Sequence, residues 1–170
     1  RVWQAARFHH IIHGDFFDDS LIEKNKEKYD VVYSLGFIEH FDDPSDCIKR
    51  HFELAKKWGM VVVVIPNLNY LWGVLTEESV LEIHNRKIMY LDVFKDFFKE
   101  YEIEEARYFG GLFNTGLYFY KNPILEKIRF LFFLWQRFLL DPISWLLSKV
   151  WINLSNKYTS PSLIVIARKS

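Results

Sequence analysis

Unbroken apolar runs alternate with amphipathic stretches along this chain, and the runs predict buried strands. Asp30 to Leu35 has no polar alternation, which fits a strand covered on both faces of a parallel sheet. Met60 to Ile65 is almost pure valine and reads as a central strand, ended by Pro66-Asn67; Ser162 to Arg168 is another buried strand. Weaker strand patterns cover Phe8 to His13, Ile103 to Tyr108 and Leu117 to Tyr120, the last two around Gly110, Gly111 and Gly116. Between the strands the period becomes helical. Asp43-Pro44-Ser45-Asp46 predicts a helix opening, with Asp43 as N-cap and Pro44 in the first turn. Ile48, Phe52 and Ala55, with Cys47, His51, Leu54 and Trp58, then form its apolar face, and Gly59 its C-cap. Asp92 to Tyr101 predicts a second helix with Val93, Phe94, Phe97, Phe98 and Tyr101 inward. Ser20 to Lys28 is a charged helix or loop, and Asn69 to Lys87 an irregular excursion with a helical portion. The whole predicts an α/β fold.

Residues 121–157 depart from this rhythm. They predict two helices, Pro123 to Leu140 and Pro142 to about Leu154, with apolar side chains over more than one face. Arg129, Gln136, Arg137 and Lys149 interrupt them, so neither has the uncharged length needed to span a bilayer. Two readings stay open. The helices form a lid, extra core or oligomer interface, or they lie in the plane of a membrane surface with tryptophan and phenylalanine buried and the cations at the headgroups.

Composition narrows the classes. Half of the 170 residues are hydrophobic, enough for one core but too few residues for two ordinary domains. The 22 basic and 22 acidic residues cancel, which argues against general nucleic-acid binding. Cys47 is the single cysteine and reads as a small buried helix residue in a protein of a reducing compartment. His9, His10 and His13 lack Cys or carboxylate partners at ligand spacing, so no metal site is expected.

The candidate chemistry lies where strands end. Ser34 and Gly36 are small residues at the carboxyl end of a predicted parallel strand, the place where such sheets bind ligands. Glu39-His40 follows at once. An imidazole there suits a general base on a hydroxyl acceptor; a role in lining the site is the alternative.

Three blocks in this order resemble the class I S-adenosylmethionine-dependent methyltransferases of quinone, lipid and glycan biosynthesis. They are Gly14-Asp15-Phe16-Phe17, Tyr29 through Phe41, and Leu54 through Asn67; the stretch His84 to Phe109 and the closing strand also fit. The resemblance implies a partial Rossmann-like sheet, mostly parallel with its last strand antiparallel, and a helical aromatic-rich insert at 121–157. Phe8 to His13, Asp30 to Leu35 and Met60 to Ile65 would be its third, fourth and fifth strands. The family's first strand and glycine-rich loop are expected upstream of Arg1, making residues 1–170 a single, amino-terminally incomplete domain. The implied cofactor is S-adenosyl-L-methionine, held by Asp15 and Phe16 at the adenine and by Ser34, Leu35, Gly36 and His40 along the methionine portion. Asn67, Tyr70 and His84 would meet the acceptor, a small molecule or a lipid- or glycan-type compound. The expected location is the cytoplasm, with the inner membrane surface as the site of contact through 123–154. A reading of another class is a non-catalytic α/β module serving as an interaction or membrane-docking partner.

Overall fold

The computed structural model describes residues 12–110, 138 and 155–169. Their centre is a four-stranded sheet in the order β1-β2-β4-β3. Strand β1 is Tyr29–Leu35, β2 is Ala55–Pro66, β3 is Glu102–Phe109 and β4 is Ser162–Arg168. β1 and β2 pair in parallel, whereas β4 runs antiparallel to both β2 and β3. The closing strand therefore slots between β2 and β3, and the other three all point the same way. That is the predicted α/β sheet with an antiparallel last strand.

β2 is central because its side chains alternate between two apolar environments. Val61, Val63 and Ile65 are fully buried, and so are their counterparts Leu163, Val165 and Ala167 on β4. Helix α2 (Ser45–Leu54) packs Cys47, Ile48, His51 and Phe52 against this layer. Helix α5 (Leu91–Asp96) adds Phe94, and the turn after it adds Phe98. Phe52 and Tyr101 stack in parallel with ring centroids 3.4 Å apart, which ties α2 to the start of β3. Burying large aromatic side chains of this kind contributes roughly 1.5–3 kcal/mol each.

Several boundaries differ from the sequence pattern. α2 ends at Leu54, and Ala55 already pairs with Tyr29 in the sheet. The register next resumes at Val31 and Met60, so residues 56–59 loop out of the ladder. Trp58 thus stands exposed at a positive φ of 65° instead of completing the helix face, and Gly59 lies within this loop-out instead of capping the helix. The helix opens one residue later than expected: Pro44 is its N-cap, and Asp43 just before it accepts the Ser45 N–H at its Oδ1 at 2.9 Å. Val93 is exposed rather than inward, because α5 is short and the chain turns at 97–100. β1 is covered on one face only, leaving Val31, Tyr33 and Leu35 exposed on the other.

The charged segment forms α1 (Asp19–Asn25), capped by Asp18, which accepts the Ser20 N–H at 2.9 Å. The excursion after β2 forms α3 (Tyr70–Leu75) and α4 (Glu78–Glu82). Ile12 and His13 are not in a strand, and the rest of the predicted strand Phe8 to His13 lies outside the described residues. The predicted strand Leu117 to Tyr120 and nearly all of the insert 121–157 also lie outside them. Among the described residues no helix is long and apolar enough to cross a membrane.

Candidate functional site

The chain changes direction immediately after β1, and one glycine makes this turn feasible. Gly36 has a positive φ of 63°, and its N–H donates to the Val64 carbonyl at 2.9 Å. A Cβ there would stand 3.3 Å from Glu39 Oε1, so the absent side chain leaves room that the Glu39 carboxylate adjoins. A single 3₁₀ turn, Ile38–His40, follows and seals Ile38 into the core while turning His40 outward. Beside this turn opens a cavity of about 450 Å³. Leu35 and Gly36 from the end of β1, Val64 to Pro66 from the end of β2, and Phe109 from the end of β3 form one wall. Ser162 at the start of β4 closes that wall, and Glu39, His40, Thr76, Val80 and His84 face it. The cavity sits at the carboxyl ends of the parallel strands, where open α/β sheets bind ligands.

The two histidines reach the cavity from segments far apart in sequence. Their ring centroids are 4.5 Å apart. His40 Nδ1 lies 3.0 Å from the Ile83 carbonyl oxygen, and His84 Nδ1 is hydrogen-bonded to the Val80 carbonyl. A carbonyl oxygen only accepts, so each Nδ1 carries the proton and each neutral ring keeps its lone pair on Nε2. Glu39 is buried although it is acidic, at 1% exposure. Its Oε1 lies 3.9 Å from His40 Nε2, and its Oε2 has no hydrogen-bond partner among the described residues. Burial raises the Glu39 pKa above the ordinary carboxylate value; backbone N–H groups and the nearby His40 oppose the rise. Burial also lowers the His84 pKa, a shift opposed by the Val80 carbonyl and reinforced by His40.

The other residues singled out from sequence fall elsewhere. Asp15 is exposed and its Oδ1 accepts the Phe17 N–H at 2.9 Å, a local turn. Phe16 is half-buried, edge-on to Phe37 and against the ring of His51. Ser34 pairs with Val63 in the sheet, and its buried hydroxyl has no partner among the described residues. Asn67 is fully buried; its side-chain N–H groups donate to the carbonyls of Lys157 and Ser160, clamping the start of β4 to the end of β2. Tyr70 enters α3 at a positive φ of 59° and packs edge-on against Tyr158 and Tyr90. Neither Asn67 nor Tyr70 lines the cavity, whereas Leu35, Gly36, His40 and His84 do. Glu39 is the addition that sequence reasoning did not carry through as a site residue. An acidic residue behind a strand-ending Gly gives no sign of burial until the 3₁₀ turn folds it inward.

No protein-family model matches the chain. Curated relatives do. A ubiquinone biosynthesis O-methyltransferase of Pseudomonas fluorescens (strain SBW25) is 32% identical over 68 residues, covering 38% of this chain and 29% of that protein. The protein of the same name from Pseudomonas syringae pv. syringae is 34% identical over 68 residues, with the same coverage. The likeness is to methyltransferases. A class I S-adenosylmethionine-dependent methyltransferase is thus what the chain resembles, and it spans 29% of the length of the curated relatives it matches. Among solved structures, the complex of the Haloferax volcanii Trm112 methyltransferase activator with a methyltransferase aligns at TM-score 0.40 and 13% identity. That match covers 85% of this chain and 56% of the other. A Bacillus halodurans methyltransferase structure aligns at TM-score 0.37 and 16% identity, covering 85% and 66%.

Proposed function

We propose that this chain forms the carboxyl-terminal side of a site for S-adenosylmethionine-dependent methyl transfer, with a hydroxyl oxygen of a small-molecule or lipid-linked compound as acceptor. The observation that carries the reading is the cavity at the strand ends, floored by a side-chain-free Gly36 and faced by the two Nε2 lone pairs of His40 and His84. The curated matches, named as O-methyltransferases, support the oxygen acceptor.

The residues present fit the cofactor. A Cβ at Gly36 would fill the space beside Glu39, so a ligand can approach the backbone there as it could at no other residue type. When bound, S-adenosylmethionine supplies an electrophilic methyl on a sulfonium centre whose departure as a neutral thioether needs no acid. The chain's own task is then to hold the acceptor in line, and proximity carries most of the acceleration. Leu35, Val64, Ile65 and Phe109 give that end of the cavity an apolar wall. His40, 39% exposed and with its Nε2 free, accepts the acceptor's proton in this reading.

Calorimetric titration with S-adenosylhomocysteine tests the cofactor assignment. Clear binding is expected for the intact protein, and no binding ends the proposal. For His40→Gln, unchanged turnover removes the base assignment.

The aromatic segment 123–154 supports an apolar acceptor met at a membrane surface. Flotation with anionic liposomes, comparing the protein with and without 123–154, is expected to show partitioning only when the segment is present. Equal partitioning of both forms ends the membrane reading.

A further inference from the structure

The sequence alone led to the expectation of no metal site, but the fold assembles one set of donors that the sequence kept apart. Among the described residues, Glu39, His40 and His84 each offer one ligand atom, all within 4.8 Å of one another. We propose that these three side chains form a binding site for a borderline divalent cation of the zinc class, open on its cavity side to water or an acceptor oxygen.

Three observations converge on this. The donor set is two imidazoles and one carboxylate, a combination that suits first-row divalent metals rather than calcium or magnesium. Both imidazoles already donate Nδ1–H to backbone carbonyls, those of Ile83 and Val80. That arrangement fixes the tautomer with Nε2 as the metal-binding atom and is the usual outer-shell partner of a ligating histidine. Finally, Glu39 is 1% exposed and its Oε2 has no hydrogen-bond partner among the described residues. A buried carboxylate oxygen without a donor is costly, and a cation between this carboxylate and the histidines offsets that cost.

The geometry needs little adjustment. Donor atoms at roughly 2.0–2.2 Å from a tetrahedral zinc ion lie about 3.3–3.5 Å apart. His40 Nε2 and Glu39 Oε1 are 3.9 Å apart, and a small rotation of the half-exposed His40 ring about its Nδ1 bond to the Ile83 carbonyl closes the remainder. Three protein ligands leave a fourth position, which is the pattern of catalytic rather than structural zinc sites. The Leu35, Val64 and Phe109 side chains wall the cavity on which this position opens.

The proposal does not depend on methyl transfer, since it concerns a cation and donors that are all in this chain. It does compete with the base role of His40, because one lone pair cannot hold a cation and the acceptor's proton together.

The test uses the purified chain stripped with a chelator and titrated with zinc chloride by calorimetry. One equivalent bound per chain is expected, with affinity reduced ~10-fold or more in Glu39→Gln and in His84→Gln. The exposed His13→Gln is expected to leave it unchanged. No zinc uptake, or uptake insensitive to both substitutions, overturns the proposal. Should either variant fail to fold, nitrogen-15 spectra of the unsubstituted protein decide. Movement of Nε2 of both His40 and His84, complete at one equivalent, supports the site; a stationary ring at either position overturns it. Because no cofactor or turnover enters these measurements, their failure is distinct from failure of the S-adenosylhomocysteine titration.

Discussion

The backbone N–H of Asn85 donates to the carbonyl oxygen of Glu39 at 2.6 Å, and this bond holds the two halves of the candidate site together. The Asn85 side chain reinforces it, donating to the carbonyls of Phe41 at 3.0 Å and Asp42 at 2.9 Å. His84 is the preceding residue, so its ring is carried against His40 by these bonds. The His40 Nδ1 bond to the Ile83 carbonyl and the buried Leu68, Trp72, Ile88 and Met89 hold the rest of the excursion over the end of β1.

Asn85→Ala removes the two side-chain bonds to Phe41 and Asp42 and a third, from the Lys87 N–H to Asn85 Oδ1 at 3.2 Å, while leaving the backbone one. Each such bond contributes about 1 kcal/mol net, so a loss of roughly 2–3 kcal/mol in unfolding free energy is expected from urea titration. The same variant should separate the two imidazoles, read as loss of any nuclear Overhauser contact between the His40 and His84 ring protons. A variant as stable as the parent would show that Asn85 does not anchor the excursion.

Gly36→Ala should be poorly tolerated for two reasons. A left-handed φ of 63° costs a residue with a Cβ roughly 1–2 kcal/mol, and the new methyl would press on Glu39 Oε1 at 3.3 Å. A urea midpoint lowered to match, and weakened S-adenosylhomocysteine binding, are the expected readouts. An unchanged midpoint would mean that the turn after β1 relaxes.

Trp72 tests the join between α3 and the approach to β4. The ring is 1% exposed and its Nε1 donates to the Thr159 carbonyl at 2.8 Å. Trp72→Phe keeps part of the packing but strands that carbonyl and leaves a void, so a loss of about 2–3 kcal/mol is expected. Thermal unfolding followed by circular dichroism checks it.

His51 gives the fold a pH dependence of known sign. Its ring is buried against Phe16 and Phe37, and its Nδ1 is 2.7 Å from the Cys47 carbonyl oxygen. Burial lowers its pKa below the ordinary 6.5, and the Cys47 bond only partly opposes this. The unfolded chain therefore takes up the proton first. The stabilisation from the neutral ring is complete above about pH 6.5 and is lost as the pH falls below that value towards the folded pKa. Urea midpoints should drop between pH 7 and pH 5, and His51→Leu should flatten the drop. The carboxylates of Asp18, Glu27, Asp30 and Asp43, whose pKa values are lowered by hydrogen bonds and lysines, act only at lower pH. His84, lowered by burial, adds to the drop and Glu39, raised by burial, opposes it, so the difference between the parent and His51→Leu isolates the His51 part.

Much of the sheet is legible along the chain because local chemistry and tertiary environment agree there. The valine run of β2 can be satisfied only between two apolar layers, and β4 repeats the pattern. Asp43 braces the start of α2 by accepting the Ser45 N–H two residues away, a contact a sequence displays directly. Trp58 and Val93 went the other way. A helical period was extended over Ala55 and Trp58, but pairing of Ala55 with Tyr29 outweighed one more helical turn, and the loop-out at 56–59 turned Trp58 to solvent.

By itself the sequence determined that strands run near 30–35, 60–65, 103–108 and 162–168, with a small-residue turn after β1 and Glu39-His40 at its end. These follow from side-chain period, backbone freedom at glycine and capping, all of which act over a few residues. Only the tertiary structure decided that Glu39 is buried with its Oε2 unpartnered among the described residues, that His84 meets His40 across 44 positions, and that Asn67 clamps β4 rather than facing the cavity. Those relationships depend on how the excursion after β2 folds back through Asn85. Its anchoring carbonyls belong to a distant turn, and no pattern within either segment encodes their meeting.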